Sequence, residues 1–241
     1  MSPSALRDDI ATACRIAAYR GLCEDILGHI SVRSGDGLLM RCRGPRESGL
    51  LFTNAEDVRE VAFDGTTDGA EQGYAAPNEL HIHTEILKAR PDVAAVLHVH
   101  PASVVGLDLA GLELAPIVGA YNIPASRMAR EGVPVYPRSI LVNTPALGRE
   151  LADALGDKSS CVMRGHGLVT TGSTVQEALS RALSLDALAR ITLLAASAGE
   201  IPATLPSADL EQLPDLGSAF NDANIWRCQV ASLTAAGYAL R

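Results

Sequence analysis

Six histidines stand among the 241 residues, at positions 29, 81, 83, 98, 100 and 166, and four of them fall between 81 and 100. Imidazole changes charge near neutral pH and is a common nitrogen ligand for transition metals, so such a grouping points to metal chemistry or proton transfer. His98 and His100 flank Val99 in the apolar run DVAAVLHVH. On a strand, residues i and i+2 share a face at a Cα separation of about 7 Å, close enough for two ring nitrogens to meet one ion. The alternative is a pair of histidines facing solvent at a strand end. Glu79 and His83 are four apart in a helical stretch and share a helix face. The carboxylate there is a ligand, an orienter of a ligand, a general acid/base, or half of a solvated pair. His166 lies between glycines in RGHG, which either lets the backbone come close to another group or makes a tight turn.

The elements that must position these residues are read from periodicity and punctuation. Residues 4–20 form a helix with Leu6, Ile10, Cys14 and Ala17 on one face and Gly21 as its stop. Strands follow at 28–33 and 38–42, joined by the turn SGDG, and Thr53 with Glu56 has capping-box spacing for a brief helix. Pro77 and Asn78 open a helix that runs to about Arg90, followed by a buried strand over 92–100 and a helix over 102–111. Short strands are expected at 116–120 and 133–136, a helix at 145–156, and a strand at 159–165 ending in a turn. Ser173 with Gln176 is read as the capping box of the longest helix, 174–198, which Gly199 stops. The Pro-rich stretch 200–215 wraps the surface, and a last helix over 216–237 carries Trp226. Interleaved strands and helices of this length make one α/β domain over 1–241, with a C-terminal helical extension from about 200.

Composition bounds the partners. Hydrophobic residues make up 47%, enough for a sizeable core, and the formal net charge of −8 argues against nucleic acid and anionic membranes. The five cysteines show no C-x-x-C pair, so neither a zinc knuckle nor a redox motif is indicated. The start lacks a basic segment followed by an apolar run, and no 18-residue apolar stretch occurs, so a cytoplasmic protein is expected.

In order along the chain, GHISVR (28–33), PNELHIH (77–83), RPDVAAVLHVHP (90–101) and RGHG (164–167) resemble the class II aldolase/adducin family. That resemblance implies a three-layer α/β/α sandwich with a mixed central sheet. It implies one divalent metal ion per subunit on His98, His100 and His166, with Glu79 as acid/base and a further metal contact. It also implies a homotetramer with sites at subunit interfaces. Sugar phosphate aldolases of the family usually have Asn where this chain has His29, and small hydroxyl residues and glycine in the loop before it. Here that loop reads Asp25-Ile26-Leu27-Gly28, a poor cradle for phosphate. The GHIS form, with RCRGPRE (41–47) and PNEL, instead resembles the branch that decarboxylates hydroxylated aromatic acids such as 3,4-dihydroxyphthalate.

The implied partner is therefore a small aromatic acid. Glu79, His29 and Tyr121 are the candidate catalytic residues. Arg43, Arg46, Asn78 and His81 are the candidate substrate-binding residues, the two arginines by bidentate hydrogen bonds to carboxylates. Three histidines suit manganese or zinc, and iron or cobalt are compatible. A sugar aldolase or epimerase and a non-catalytic adducin-like interaction module are the alternatives.

Overall fold

The computed structural model describes residues 3–200, 203–214 and 216–240. Among the described residues, seven strands form one sheet: β1 His29–Ser34, β2 Gly37–Arg41, β3 Val58–Ala62, β4 Ala95–Val99, β5 Val135–Tyr136, β6 Ser160–Met163 and β7 Gly167–Gly172. Their order is β3-β2-β1-β4-β7-β6-β5, and every neighbouring pair is antiparallel except β5 with β6. The sheet is thus mixed, and β1, β4 and β7 lie at its centre.

Alternation along the strands divides the interior into two cores. On one face, Ile30, Val32, Leu97 and Val99 pack under α1 (Pro3–Tyr19), α3 (Ala102–Leu109), α4 (Ile123–Glu131) and α6 (Val175–Ser197). On the other, Met40, Val96, Cys161 and Val169 pack under α2 (Leu80–Ala89) and α5 (Pro145–Leu155). The layers are α/β/α, as expected. The C-terminal helix α8 (Ser218–Ala235) lies on α6 and α1. Beyond it, Arg15 on α1 donates to the carbonyls of Tyr238 and Ala239 at 2.8 and 3.2 Å. A five-residue helix, α7 (Ser207–Glu211), breaks the Pro-rich stretch; residues 201, 202 and 215 of that stretch lie outside the described residues. Among the described residues, no helix is long and apolar enough to cross a membrane.

Several local expectations are corrected. The 116–120 stretch is not a strand, and the chain next forms α4, in which Pro124 occupies the first turn and Asn122 accepts from Ala125 N at 3.1 Å. Strands β3 and β7 were not anticipated: β3 carries Arg59 and Glu60 between its buried valines, and β7 is buried at every position and shows no alternation. The cap of α6 is Thr174, whose hydroxyl accepts from Glu177 N at 3.1 Å, one residue later than the Ser173–Gln176 spacing suggested. Near 53–57 the residues that pair are Asn54 and Asp57, with Asn54 N donating to Asp57 Oδ2 at 2.8 Å. Short polar side chains crowd both sites, and spacing alone does not choose among them.

The contact between α2 and α5 depends on Gly148. A Cβ there would lie 2.4 Å from the His81 carbonyl oxygen and 2.7 Å from Glu85 Cγ. Gly148→Ala is expected to push the helices apart and cost about 1–3 kcal/mol; a urea midpoint unchanged from wild type would show that the helices have room to spare.

Candidate functional site

Strand β1 turns His29, Ser31 and Arg33 toward α2 and sends Ile30 and Val32 to the opposite core. Each of the three polar side chains meets the helix layer. Arg33 donates to the carbonyls of Leu87, Arg90 and Val93 around the end of α2. Ser31 Oγ and His29 Nδ1 bracket the His83 ring at 2.7 Å each. Because β1 and β4 are in register with His29 opposite His98, the helix held on β1 is also held over the histidines of β4.

Glu79 stands at the N-terminal boundary of α2, where the positive end of the helix dipole favours an anion. Its Oε1 accepts from Val142 N at 2.9 Å. Its Oε2 faces three imidazoles: Nε2 of His98 and of His166 at 3.6 Å each, and Nε2 of His29 at 3.8 Å. The His98 and His100 Nε2 atoms are 2.8 Å apart. His98 Nδ1 lies 3.2 Å from the Leu168 carbonyl oxygen, which can only accept, so the His98 proton sits on Nδ1 and its Nε2 lone pair points into the cluster. One ligand-type atom from each of Glu79, His98, His100 and His166 falls within 4.8 Å of the others.

His166 reaches this point on the turn between β6 and β7. Gly165 adopts φ +55°, and its N–H donates to Asp108 Oδ2 at 2.8 Å, which ties the turn to α3. A Cβ on Gly167 would lie 2.5 Å from Val99 O and 2.8 Å from His100 Cδ2. The glycines beside His166 therefore permit the close approach that brings β7 and its histidine against β4.

Burial sets the charges. Loss of hydration pushes His98 down to about 4 and His100 down to about 3, with neighbouring imidazoles adding to the fall. It also lowers His29 and holds His83 well below the usual histidine range. For Glu79, burial pulls upward but is outweighed by the facing rings of His166, His29 and His98, and the carboxyl stays below the ordinary range. His98 and His100 are thus neutral nitrogen donors beside an ionised carboxylate, which is the chemistry a divalent cation requires.

The expected site residues separate into two groups. His29, Glu79, His98, His100 and His166 converge. Arg43 is half-buried, bonds Ala75 through both its backbone groups at 2.9 Å, and carries a charge close enough to help lower His29. Asn78 is exposed beside Glu79. His81 lies two residues past Glu79, roughly 200° round the helix, with its Nδ1 3.5 Å from Thr84 Oγ1. Arg46 and Tyr121 are exposed, and among the described residues neither has a hydrogen bond or ion pair to the cluster. Ser31, Val142 N and Asp108 were not singled out from sequence. Ser31 alone carried a signal, as a polar residue two positions from His29 on the same buried strand face.

A mixed sheet between helical layers, with histidines and a glutamate gathered at the ends of its central strands, is the frame of the class II aldolases. The chain belongs to that family, matching the class II aldolase and adducin N-terminal domain over residues 8–193. It is 50% identical over 234 residues to a 3,4-dihydroxyphthalate decarboxylase of Arthrobacter keyseri, covering 95% of this chain and 94% of that one. It is 49% identical over 233 residues to a protein of the same name from Terrabacter sp. (strain DBF63), with 95% and 98% covered. Among solved structures it resembles an aldolase II superfamily protein from Pseudomonas syringae, with a TM-score of 0.81, 25% identity, and 99% and 96% of the two chains covered.

Gly167→Ala is expected to displace His100 and weaken divalent-ion affinity about 10–100-fold, as loss of ligand orientation does. Competition with a chelating dye measures this, and an unchanged affinity would mean that the close approach of β7 is not needed by the cluster.

Proposed function

We propose that the protein is a metal-dependent carboxy-lyase that converts 3,4-dihydroxyphthalate to protocatechuate and carbon dioxide. The observation that carries this reading is the end-to-end likeness to 3,4-dihydroxyphthalate decarboxylases at about half identity, in a chain that has the histidine–glutamate cluster. The loop before His29 agrees with it. Asp25, Ile26 and Leu27 are exposed there and offer no hydroxyl or cationic group to a phosphate. That disfavours a sugar phosphate and suits a flat ring bearing carboxylates.

The donor set fits a divalent ion: imidazole nitrogens, two of them 2.8 Å apart, beside a buried carboxylate fixed by a backbone N–H. His98, His100 and His166 would hold the ion with Glu79 adjacent, and we assign manganese or zinc, with iron or cobalt suited to the same donors. When bound, such an ion acts as a Lewis acid for negative charge developing on a ring oxygen. The chain's own residues do the rest. Glu79 and His29 flank the reacting ring carbon and govern its protonation. Arg43 and Arg46 pair with the two carboxylates, and Asn78 and His81 border the ring's entry. Tyr121, 68% exposed, acts on the site of a neighbouring copy in a cytoplasmic homotetramer. Residues 1–241 act as one domain, and the segment from about 200 is an extension that seals α1 and α6.

Carbon dioxide release from 3,4-dihydroxyphthalate is expected to stop on chelation and return with manganese or zinc. Failure to release it with any of the four metals would remove this substrate. Glu79→Gln is expected to retain bound metal and lose about 10²–10⁴ in turnover, the usual contribution of a positioned acid/base. Near-normal turnover in that variant would remove Glu79 from the chemistry.

A further inference from the structure

The row Ser31, His83, His29, Glu79 runs from the floor of the sheet to the cluster. Ser31 and His83 are fully buried, and His29 nearly so. Ser31 Oγ lies 2.7 Å from His83 Nδ1, and His83 Nε2 lies 2.7 Å from His29 Nδ1. His29 Nε2 then faces Glu79 Oε2 at 3.8 Å.

The direction of the hydrogens follows from counting donors and acceptors. A hydroxyl has one hydrogen, and a buried hydrogen without an acceptor is destabilising. Among the described residues, the acceptor placed for the Ser31 hydrogen is His83 Nδ1. If His83 Nδ1 donated instead, the Ser31 hydrogen would be stranded in the core. Ser31 therefore donates, and His83 Nδ1 is bare. Burial disfavours the charged form of His83, so its single proton is on Nε2 and is donated to His29 Nδ1. His29 must then carry its own proton on Nε2, the atom that faces the site.

The geometry points to Ser31 and His83 as positioning residues that lock His29 in its Nε2–H tautomer, making His29 a fixed hydrogen-bond donor to an anionic oxygen of the substrate. This rests on the decarboxylase reading of the same site. A neutral imidazole that gave up its remaining proton would become an imidazolate, whereas Glu79 is an anion able to take and return one. The step then balances. A ring hydroxyl proton passes to Glu79 and is delivered to the ring carbon bearing the departing carboxylate. The carbon–carbon bond breaks and its electron pair returns to the ring. Carbon dioxide leaves, and the ring oxygen regains a proton from water when the product departs. Throughout, His29 Nε2–H is shared with the substrate and not transferred.

The tautomer is read directly from the zinc-loaded, full-length protein by long-range proton–nitrogen NMR with labelled histidine. The His29 signals are assigned by their loss in His29→Gln. Protonation on Nε2 with a bare Nδ1 is expected, and the opposite pattern would overturn the assignment without reference to any substrate. In turnover, His83→Leu is expected to lower kcat about 10–100-fold with KM and bound metal nearly unchanged, the scale typical of an orienting partner. His83→Gln, which keeps a donor toward His29, should recover most of the loss, and Ser31→Thr should exceed Ser31→Ala. Equal loss in the Leu and Gln variants, with wild-type melting temperature and metal content, would reject the positioning role. Absence of carbon dioxide release by the wild type would reject the decarboxylase reading and leave the tautomer result standing.

Discussion

One ionised, buried carboxylate ringed by imidazoles is the interaction on which the molecule is organised. Neither part is stable there alone. A buried anion without partners is costly, and buried imidazoles lose the hydration that would keep them protonated. Glu79 stays ionised beside the facing rings, while burial, working against the pull of the Glu79 charge, keeps His98 and His100 uncharged. A cluster of this kind has electron pairs to share and a negative charge to offer, and a divalent cation fits both.

The sheet makes this arrangement affordable. Ordinarily a central strand buries apolar groups on both faces. Here β1 gives one face to Ile30 and Val32 and the other to His29, Ser31 and Arg33, and each polar group has a partner in α2 or at its end. In the opposite core, under α1, α3 and α6, β1 and β4 present only apolar side chains and β7 adds Thr170, whose hydroxyl donates to Ala178 O of α6 at 2.8 Å; this side supplies the apolar burial that the polar face forgoes. Function and stability are thus assigned to opposite sides of one sheet.

The parts legible in the sequence were those whose signal is local. The H-x-H spacing, the glycines beside His166 and the long helix ended by Gly199 each depend on a few adjacent residues. Strand β7 was missed because complete burial removes alternation, and α4 because the stretch 111–144 is rich in Pro and Gly, although Pro124 stands in its first turn and Asn122 is its cap. The caps were displaced by a residue because Ser173, Thr174, Thr53 and Asn54 are chemically interchangeable at that resolution. In the site, Val142 N and Asp108 could not be seen at all: one is a backbone group and the other lies 57 residues from the glycine it holds. His83 was noticed for its spacing from Glu79, but its partners on β1 lie more than fifty residues away.

The double attachment of α2 to β1 turns the helix into a gauge block. Arg33 clamps its far end and His83 pins its middle, so the only freedom left to Glu79 is the screw of the helix itself. Adding or removing one residue between those fixtures and Glu79 would swing the carboxylate by about 100° and 1.5 Å, out of reach of the histidines. A loop beside such a site can change length without moving the carboxylate, whereas the spacing from Glu79 to His83 cannot.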